Sequence, residues 1–293
     1  MVSVIIINYN TFSLTTACLR SVYLHTRSVP FEVILVDNAS TECDPEDFLK
    51  EFSALKLIKS KTNLGFAGGN NLGLSAASGT HYLLLNSDTL LTEDSIGKSY
   101  AFLLTQPQAG AVGCRQVYPD GKIQFVARRF RSIGWECFDL FRIFLYLLPY
   151  EKRAHLMLGR YFKNDVTCEA DWVNGAFLLM PATIVRSLPG HQLDDRFFMY
   201  GEDVLWCEQI RELGYHIFFF AGTTIIHLEG GSTVPAKQMG LRKVMIRHER
   251  MIMARRKGKG LYYALFSIIY MGKEYARLLI KGLVFFCSGK WIR

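Results

Sequence analysis

The chain has 293 residues, half of them hydrophobic, which suffices for one large domain or for a domain with an appendage. It carries no repeat and no low-complexity tract, which excludes the fibrous and intrinsically disordered classes. The net charge of +8 is unevenly spread: residues 236–293 hold 14 Lys/Arg against two Glu, a net of +12 that leaves −4 for the rest.

Residues 2–7 are a β-branched apolar run that ends at Asn8, Tyr9 and Asn10, which predicts a buried strand and a polar loop. Residues 13–25 place Leu14, Ala17, Cys18, Ser21 and Val22 on one helical face. Residues 31–36 predict a second strand ending at Asp37 and Asn38, residues 45–52 a short helix and residues 55–59 a third strand. Asn63-Leu64-Gly65-Phe66-Ala67-Gly68-Gly69-Asn70-Asn71 reads as a glycine-rich loop whose backbone can approach a ligand, ahead of a helix over 72–77. It is not a P-loop, since no Gly-Lys-Ser/Thr follows, and it is not a G-x-G-x-x-G fingerprint.

Residues 82–85 are a short apolar run that closes abruptly in Asn86-Ser87-Asp88-Thr89. The run predicts a strand buried on both faces, with its polar cluster at the carboxyl end, where open α/β sheets bind ligands. A carboxylate there can hold a hard cation, the usual partner of a diphosphate. The alternative is that Asn86 and Asp88 form a turn and cap the helix that begins near Glu93.

A helix over 95–104 and a strand over 110–116 follow. Residues 130–162, with Trp135, Phe138, Phe141, Phe144, Tyr146 and Tyr150, read as an amphipathic helical insertion. It either covers the sheet or grips an acceptor or a membrane surface. Residues 171–180 predict a strand. Glu202 and Asp203 open a helix that Gly214 closes; the pair either takes part in chemistry or only complements the helix dipole. Residues 215–221 and 224–227 predict two more strands, the second ending in His227 ahead of Glu229-Gly230-Gly231-Ser232. The alternation implies a mostly parallel sheet with helices on both faces. Three polar strand ends, at Asn8–Asn10, Asp37–Asn38 and Asn86–Asp88, would then converge on one edge.

Seven cysteines show no metal-binding spacing, and Cys18, Cys114 and Cys207 read as reduced core residues. The start lacks a basic region followed by a separate apolar one, so no signal peptide is expected and a cytosolic compartment fits. In the tail, residues 237–259 are basic with apolar positions interleaved, and residues 261–271 and 276–286 are two apolar runs. Neither run reaches the roughly 20 residues a bilayer requires. They predict amphipathic helices on an anionic membrane surface; the alternatives are packing on the core or on a second copy of the chain. A nucleic-acid-binding tail is a reading of another class. A core serving it would not need three polar strand ends and an acidic pair, so nucleic acid is not expected as a partner.

The runs Val2-Ser3-Val4-Ile5-Ile6-Ile7-Asn8-Tyr9-Asn10, Val36-Asp37-Asn38-Ala39-Ser40, Asn63 to Asn70 and Leu84-Leu85-Asn86-Ser87-Asp88 occur in order. Gly201-Glu202-Asp203 and then His227 follow. Together these resemble the family 2 glycosyltransferases, in the bacterial rhamnosyltransferase-like branch of O-antigen and cell-wall synthesis, over roughly residues 1–235. The resemblance implies an α/β fold of GT-A (Rossmann-like) type over 1–235, a mostly parallel sheet with helices on both faces, with a nucleotide-sugar half (1–116) and an acceptor half (117–235). The basic amphipathic helical tail read from composition then occupies 236–293.

It also implies inverting transfer of a sugar, rhamnose by its branch, from a nucleotide diphosphate sugar to a glycan or glycolipid acceptor with Mg²⁺ or Mn²⁺. Asp37 matches the nucleoside-binding aspartate and Asp88 the metal-binding end of the D-x-D motif. His227 matches the histidine that joins the metal or the diphosphate. Asp203 matches the catalytic base, with Glu202 orienting base or acceptor. Asn8, Tyr9, Asn10, Asn38, Asn63, Gly65, Asn70 and Asn86 complete the donor side. One departure is Asn86, which stands where the motif has its first acid. An amide is a neutral and weaker ligand, so metal binding would rest on Asp88, His227 and diphosphate oxygens. Such an enzyme works in the cytoplasm, held peripherally at the inner face of the cell membrane. A nucleotidyltransferase is the runner-up, although its Gly-rich loop with Arg and Lys near the first strand is absent; an inactive sugar-binding relative is a third reading.

Overall fold

The computed structural model describes residues 1–228 and 235–288; the Glu229-Gly230-Gly231-Ser232 stretch and residues 289–293 of the tail lie outside the described residues. The chain forms two compact units, one of Met1–Arg129 with Leu158–Glu229 and the other of Phe130–Met157 with Gly230–Arg293. Residues 130–157, read from the sequence as part of the first domain, thus group with the tail.

The first unit begins with β1 (Val2–Asn8), α1 (Phe12–His25), β2 (Phe31–Asp37), α2 (Asp47–Glu51) and β3 (Lys56–Lys59). It continues through α3 (Gly65–Leu74), β4 (His81–Asn86), β5 (Thr89–Leu91), α4 (Ser95–Leu104), β6 (Ala109–Val117) and β7 (Ile123–Gln124). In the second unit the insertion folds as α5 (Ile133–Leu140), α6 (Arg142–Leu145) and α7 (Tyr150–Met157). The first unit resumes with β8 (Cys168–Ala170), β9 (Phe177–Pro181), α8 (Ala182–Ser187), α9 (Glu202–Glu212) and β10 (His216–His227). The second unit ends with α10 (Pro235–Lys257) and α11 (Leu261–Ser288).

The strands join in one sheet of order β3-β2-β1-β4-β9-β6-β10-β5, with β7 on β6 and β8 on β10. The half from β3 to β4 is parallel, as the alternation of strands and helices predicts. Beyond it the sheet is mixed: β9 runs antiparallel to both β4 and β6, while β6 and β10 pair in parallel. The apolar runs explain the centre. Val4, Ile5, Ile6, Leu83 and Leu84 are fully buried, as is Cys18 on α1. Removing such a side chain to Ala costs about 2–5 kcal/mol.

Three local expectations change. The glycine-rich stretch is a helix rather than a loop, and its glycines serve packing. A Cβ on Gly73 would sit 2.5 Å from Ile5 Cγ2, so the glycine lets α3 lie close on β1. The strand expected over 171–180 is confined to Phe177–Pro181. The two strands expected over 215–221 and 224–227 form one, His216–His227, with a register shift between Phe220 and Thr224.

In the second unit, α11 is continuous from Leu261 to Ser288, so the two apolar runs read from the sequence belong to one helix. The residues between those runs face inward. Lys273 pairs with Glu136 and, at 2.8 Å, with Asp139, while Arg277 reaches Asp139 at 2.7 Å and Glu274 at 2.8 Å. Glu274 also pairs with Arg242 of α10, and Arg131 reaches Glu136 at 2.6 Å. Burial opposes charge on Glu274, yet Arg242 and Arg131 hold its carboxyl below the usual range. Buried charges need such partners, and this network ties the insertion to both tail helices.

Candidate active site

Parallel pairing brings the ends of β1, β2 and β4 to one edge, with Asn8 opposite Asp37 and Ile7 opposite Asn86. Asn8 is fully buried behind that edge. Its Nδ2 donates to Asp37 Oδ1 and Ser40 Oγ, each at 2.9 Å, and its Oδ1 accepts from Thr11 and Thr15. Asn8 therefore sets the orientation of Asp37, whose other oxygen accepts from the Ser40 amide at 3.1 Å. Asn38 does the same for the next loop. Its Nδ2 donates to Asn63 Oδ1 and the Gly65 carbonyl, both at 3.0 Å, and its Oδ1 accepts from the Leu64 amide. Asn70 is buried and donates to the Phe66 carbonyl of its own helix, which makes it part of the packing of α3. Tyr9 and Asn10 are exposed at the edge, and Asn10 Oδ1 accepts from the Thr41 amide. Of the expected donor residues, Tyr9, Asn10, Asn63, Gly65 and Asn86 thus border the edge or its loops and Asp37 ends β2 there as a buried carboxylate, whereas Asn8, Asn38 and Asn70 support the edge from within.

Asp88 does not cap the following helix; that cap is Asp94, whose side chain accepts from the Gly97 amide at 3.0 Å. The antiparallel register of β10 and β5 sets His227 against Thr89, and the Leu228 amide donates to the Asp88 carbonyl. His227 Nε2 lies 3.3 Å from Asp88 Oδ1 and 3.4 Å from Asn86 Nδ2. Its other nitrogen faces Gln124, a residue the sequence reading does not single out. Gln124 Nε2 donates to the His227 carbonyl at 2.6 Å, so Gln124 Oε1 must be the atom 2.8 Å from Nδ1. Nδ1 then carries the proton and donates. In the neutral ring Nε2 presents a lone pair to a carboxylate, a contact that a proton or a cation between them relieves.

A divalent metal fits this place. Neighbouring ligands of an octahedral ion with bonds of about 2.1 Å stand about 3 Å apart, near the observed separation of Asp88 and His227. Asn86 Oδ1 is buried without a hydrogen-bond partner. Among the described residues no cluster of three or more His, Cys, Asp or Glu could hold a metal, so the protein offers two strong ligands and a neutral amide.

The acidic pair lies on the same unit, reached through residues 174–176. The Asn86 amide donates to the Ala176 carbonyl at 3.0 Å, and the Gly175 amide donates to Asp203. Gln116 and Asn174 exchange side-chain hydrogen bonds of 2.7 and 3.0 Å that fix this turn. Gly201 precedes the helix without a side-chain cap, so Glu202 and Asp203 occupy the first turn of α9. Burial pushes the Glu202 carboxyl up to about 8, and the Asp203 charge adds to it. Burial also raises Asp203, against the Val204 and Gly175 amides and the Arg128 charge, which favour its ionised form. Arg128 itself lies over the Trp172 ring at 5.2 Å. Glu202 Oε2 is buried without a hydrogen-bond partner, whereas Asp203 is partly accessible. Asp203, partly accessible and bound by the Val204 and Gly175 amides, is thus the member equipped to carry negative charge, with Glu202 holding the proton of the pair.

The loop before the pair touches the donor side directly. The Phe66 amide donates to the Phe198 carbonyl at 2.9 Å. Gly65 has φ +73°, and a Cβ there would fall 2.3 Å from that carbonyl, so only glycine permits the approach.

The model of the family described as "Glycosyl transferase family 2" matches residues 3–162. The O-antigen biosynthesis protein RfbC of Myxococcus xanthus is 27% identical over 216 residues, which cover 72% of this chain but 16% of that much longer protein. The N-acetylglucosaminyl-diphospho-decaprenol L-rhamnosyltransferase of Mycobacterium tuberculosis is 23% identical over 228 residues, 70% of this chain and 68% of that protein. The fold resembles the mannosyltransferase PcManGT of Pyrobaculum calidifontis, solved with GDP-Man and Mn²⁺, at a TM-score of 0.62 and 16% identity over 96% of this chain and 75% of that one. It also resembles S. aureus TarS with UDP, at a TM-score of 0.55 and 15% identity over 94% and 72% of the two chains. The GT-A likeness thus agrees with the sheet edge, and the family match spans more than half of the chain: it belongs to glycosyl transferase family 2.

Proposed function

We propose that this glycosyltransferase moves a sugar, with inversion, from a nucleoside diphosphate sugar to a hydroxyl of a lipid-linked glycan in cell-surface polysaccharide synthesis. The observation that carries the reading is the pairing of two distinct sites on one sheet unit. Asp88 and His227 meet at one strand edge, and Asp203, beside Glu202, accepts from the Gly175 amide next to Ala176, whose carbonyl binds the Asn86 amide. Asp37 and the Asn63–Gly65 loop, oriented by Asn8 and Asn38, bind the nucleoside side of the donor. Asp88, His227 and the Asn86 amide oxygen would hold Mg²⁺ or Mn²⁺ together with diphosphate oxygens, and the bound metal would neutralise charge on the departing nucleoside diphosphate. Asp203 removes the proton of the acceptor hydroxyl as it attacks the anomeric carbon, and Glu202, kept protonated by its buried site, orients it. One displacement inverts the centre, so no covalent enzyme intermediate is required.

Likeness to a rhamnosyltransferase of 23% identity favours rhamnose as the sugar and a polyprenyl-linked acceptor. An enzyme using such an acceptor would work in the cytoplasm, peripherally at the inner face of the membrane. The test is a panel of dTDP-rhamnose, UDP-sugars and GDP-mannose, with and without Mn²⁺, read by thermal shift and by transfer to lipid-linked acceptors. A donor at about a hundred times its dissociation constant should stabilise the protein by roughly 2.7 kcal/mol. Stabilisation without transfer to any acceptor would support a sugar-binding relative. Stabilisation by GDP-mannose or a UDP-sugar in place of dTDP-rhamnose would overturn the sugar assignment and leave the reaction class standing.

A further inference from the structure

The helical unit sorts its charges. Its five acids are Glu136, Asp139, Glu151, Glu249 and Glu274, against 18 Lys/Arg. Glu136, Asp139 and Glu274 are no more than 1% exposed and are bound to Lys273, Arg277, Arg242 and Arg131. Glu249 is largely covered beside Arg131, which leaves Glu151 as the fully exposed acid. Lys243, Arg247, Lys257 and Lys259 are exposed, so the outer charge of the unit is positive.

The same inversion holds for α11. Its inner face carries the buried Lys273 and Glu274 beside Phe266 and Tyr270. Its outer face carries Leu261, Leu265, Ile268, Tyr275, Leu279 and Leu283, which are 45–77% exposed. Their spacing of three, four or seven residues, and once four again, keeps them on one stripe about 33 Å long. Lys257 lies 5.9 Å from the ring of Tyr262 at the start of this stripe, so cations flank the apolar face. No helix among the described residues is long and apolar enough to cross a membrane.

We propose that the outer face of α11 is a membrane-docking face that lies in the plane of an anionic bilayer, its leucines among the acyl chains and the flanking lysines on lipid phosphates. This deepens the peripheral attachment proposed above by naming the face and the lipid class, and it rests on that reading only for its biological setting. Charge selects the occupant. A second copy would bring the same cationic surface against itself, whereas an anionic bilayer offers an apolar interior beneath a negative surface. Binding therefore draws on apolar burial and electrostatic attraction together.

The experiment sediments the full chain with vesicles of phosphatidylcholine containing phosphatidylglycerol, and with phosphatidylcholine alone. The wild type should bind the anionic vesicles and lose binding in high salt. The exposed-face variant L265E/I268E/L279E should bind at least about tenfold more weakly, with an unchanged melting curve. A second variant, F144S/L147S, tests the exposed apolar residues of α6 and the turn after it in the same unit and should retain binding through α11. The proposal is overturned if the α11 variant binds as wild type, or if the wild type ignores anionic vesicles. It is also overturned if sedimentation equilibrium shows a dimer that the variant dissolves, which would make a second copy the occupant. Calorimetry of nucleoside diphosphate binding on each protein separates failure of docking from failure of the catalytic reading.

Discussion

Gln124 and His227 exchange two hydrogen bonds across 103 residues of sequence: the glutamine amide donates to the histidine carbonyl at 2.6 Å, and its oxygen accepts from Nδ1 at 2.8 Å. The pairing fixes both the rotation and the tautomer of a ring whose Nε2 lies 3.3 Å from Asp88. In the proposed site Gln124 would be a positioning residue, acting through His227.

The first prediction concerns that pair. Gln124→Ala should weaken Mn²⁺-dependent binding of a nucleoside diphosphate about 10–100-fold, the usual effect of losing a ligand's outer partner. Calorimetry measures it. Nitrogen-15 NMR of the metal-free protein supplies a readout independent of turnover: wild-type His227 should show the Nδ1–H tautomer, and the variant a mixture. An Nε2–H ring in the wild type would remove the basis of the assignment.

The second concerns the residues proposed to hold the metal. Asp88→Ala should abolish metal-dependent binding of UDP or TDP while the melting profile stays that of a folded protein. Asn86→Asp should keep or strengthen it, because a carboxylate replaces an amide. Metal-dependent affinity left intact in Asp88→Ala would show that the cation is held elsewhere.

Residues local in sequence were legible, and residues joined by long-range pairing were not. β1, α1 and β2 follow from β-branched runs and a helical stripe. The convergence of Asp37 with Asn86 follows from parallel pairing. The direction of β9 was not legible, since an apolar run buried on both faces reads alike in either sense. The glycines of α3 looked like a loop because their reason is contact with Ile5 and with Phe198, far off in sequence. Lys273 looked like part of a break between two tail segments because Glu136 and Asp139, its ion-pair partners, lie more than a hundred residues earlier. Gln124 gives no signal at all until β7 and β10 are in place.

The third prediction addresses that buried network. Glu136→Ala leaves Lys273 and Arg131 short of a counter-charge in the interior. The loss should be about 3–5 kcal/mol for the helical unit, read by hydrogen exchange of α5 and α11. Glu136→Met with Lys273→Met should recover much of it, because the two desolvation costs vanish together. A single variant as stable as wild type would mean that the network does not tie insertion to tail.

The fourth follows from the raised carboxyl of Glu202. Its folded pKa of about 8 lies above its unfolded value, so the folded state binds the extra proton between roughly pH 4.5 and 8. Stability should therefore fall as pH rises through that window, by up to about 1.4 kcal/mol per pH unit for one proton. Glu202→Gln should flatten that part of the profile and be more stable than wild type near pH 8. Denaturant melts from pH 5 to 9 measure both. An unchanged slope in the variant would assign the titration to another group.

The fifth separates proton removal from donor binding. Asp203 sits in the first turn of α9, on a segment apart from Asp88 and His227, so the two jobs should fail differently. Asp203→Asn is nearly isosteric, and its side-chain oxygen can still accept from the Val204 amide at the observed 2.8 Å. Stability should change little, while loss of the proton acceptor lowers transfer by about 10² to 10⁴-fold. Donor and metal affinity should persist. The raised pKa of Asp203 further predicts a wild-type rate that climbs with pH as the pair loses its first proton, and the Asn variant should lack that climb. Glu202→Gln should be milder, because a neutral amide resembles the protonated acid it replaces. The measurement is initial transfer rate beside donor affinity, across pH, for both variants. Transfer by Asp203→Asn within a few-fold of wild type would put the base on another residue. Loss of donor binding with the fold intact would place Asp203 on the donor side instead.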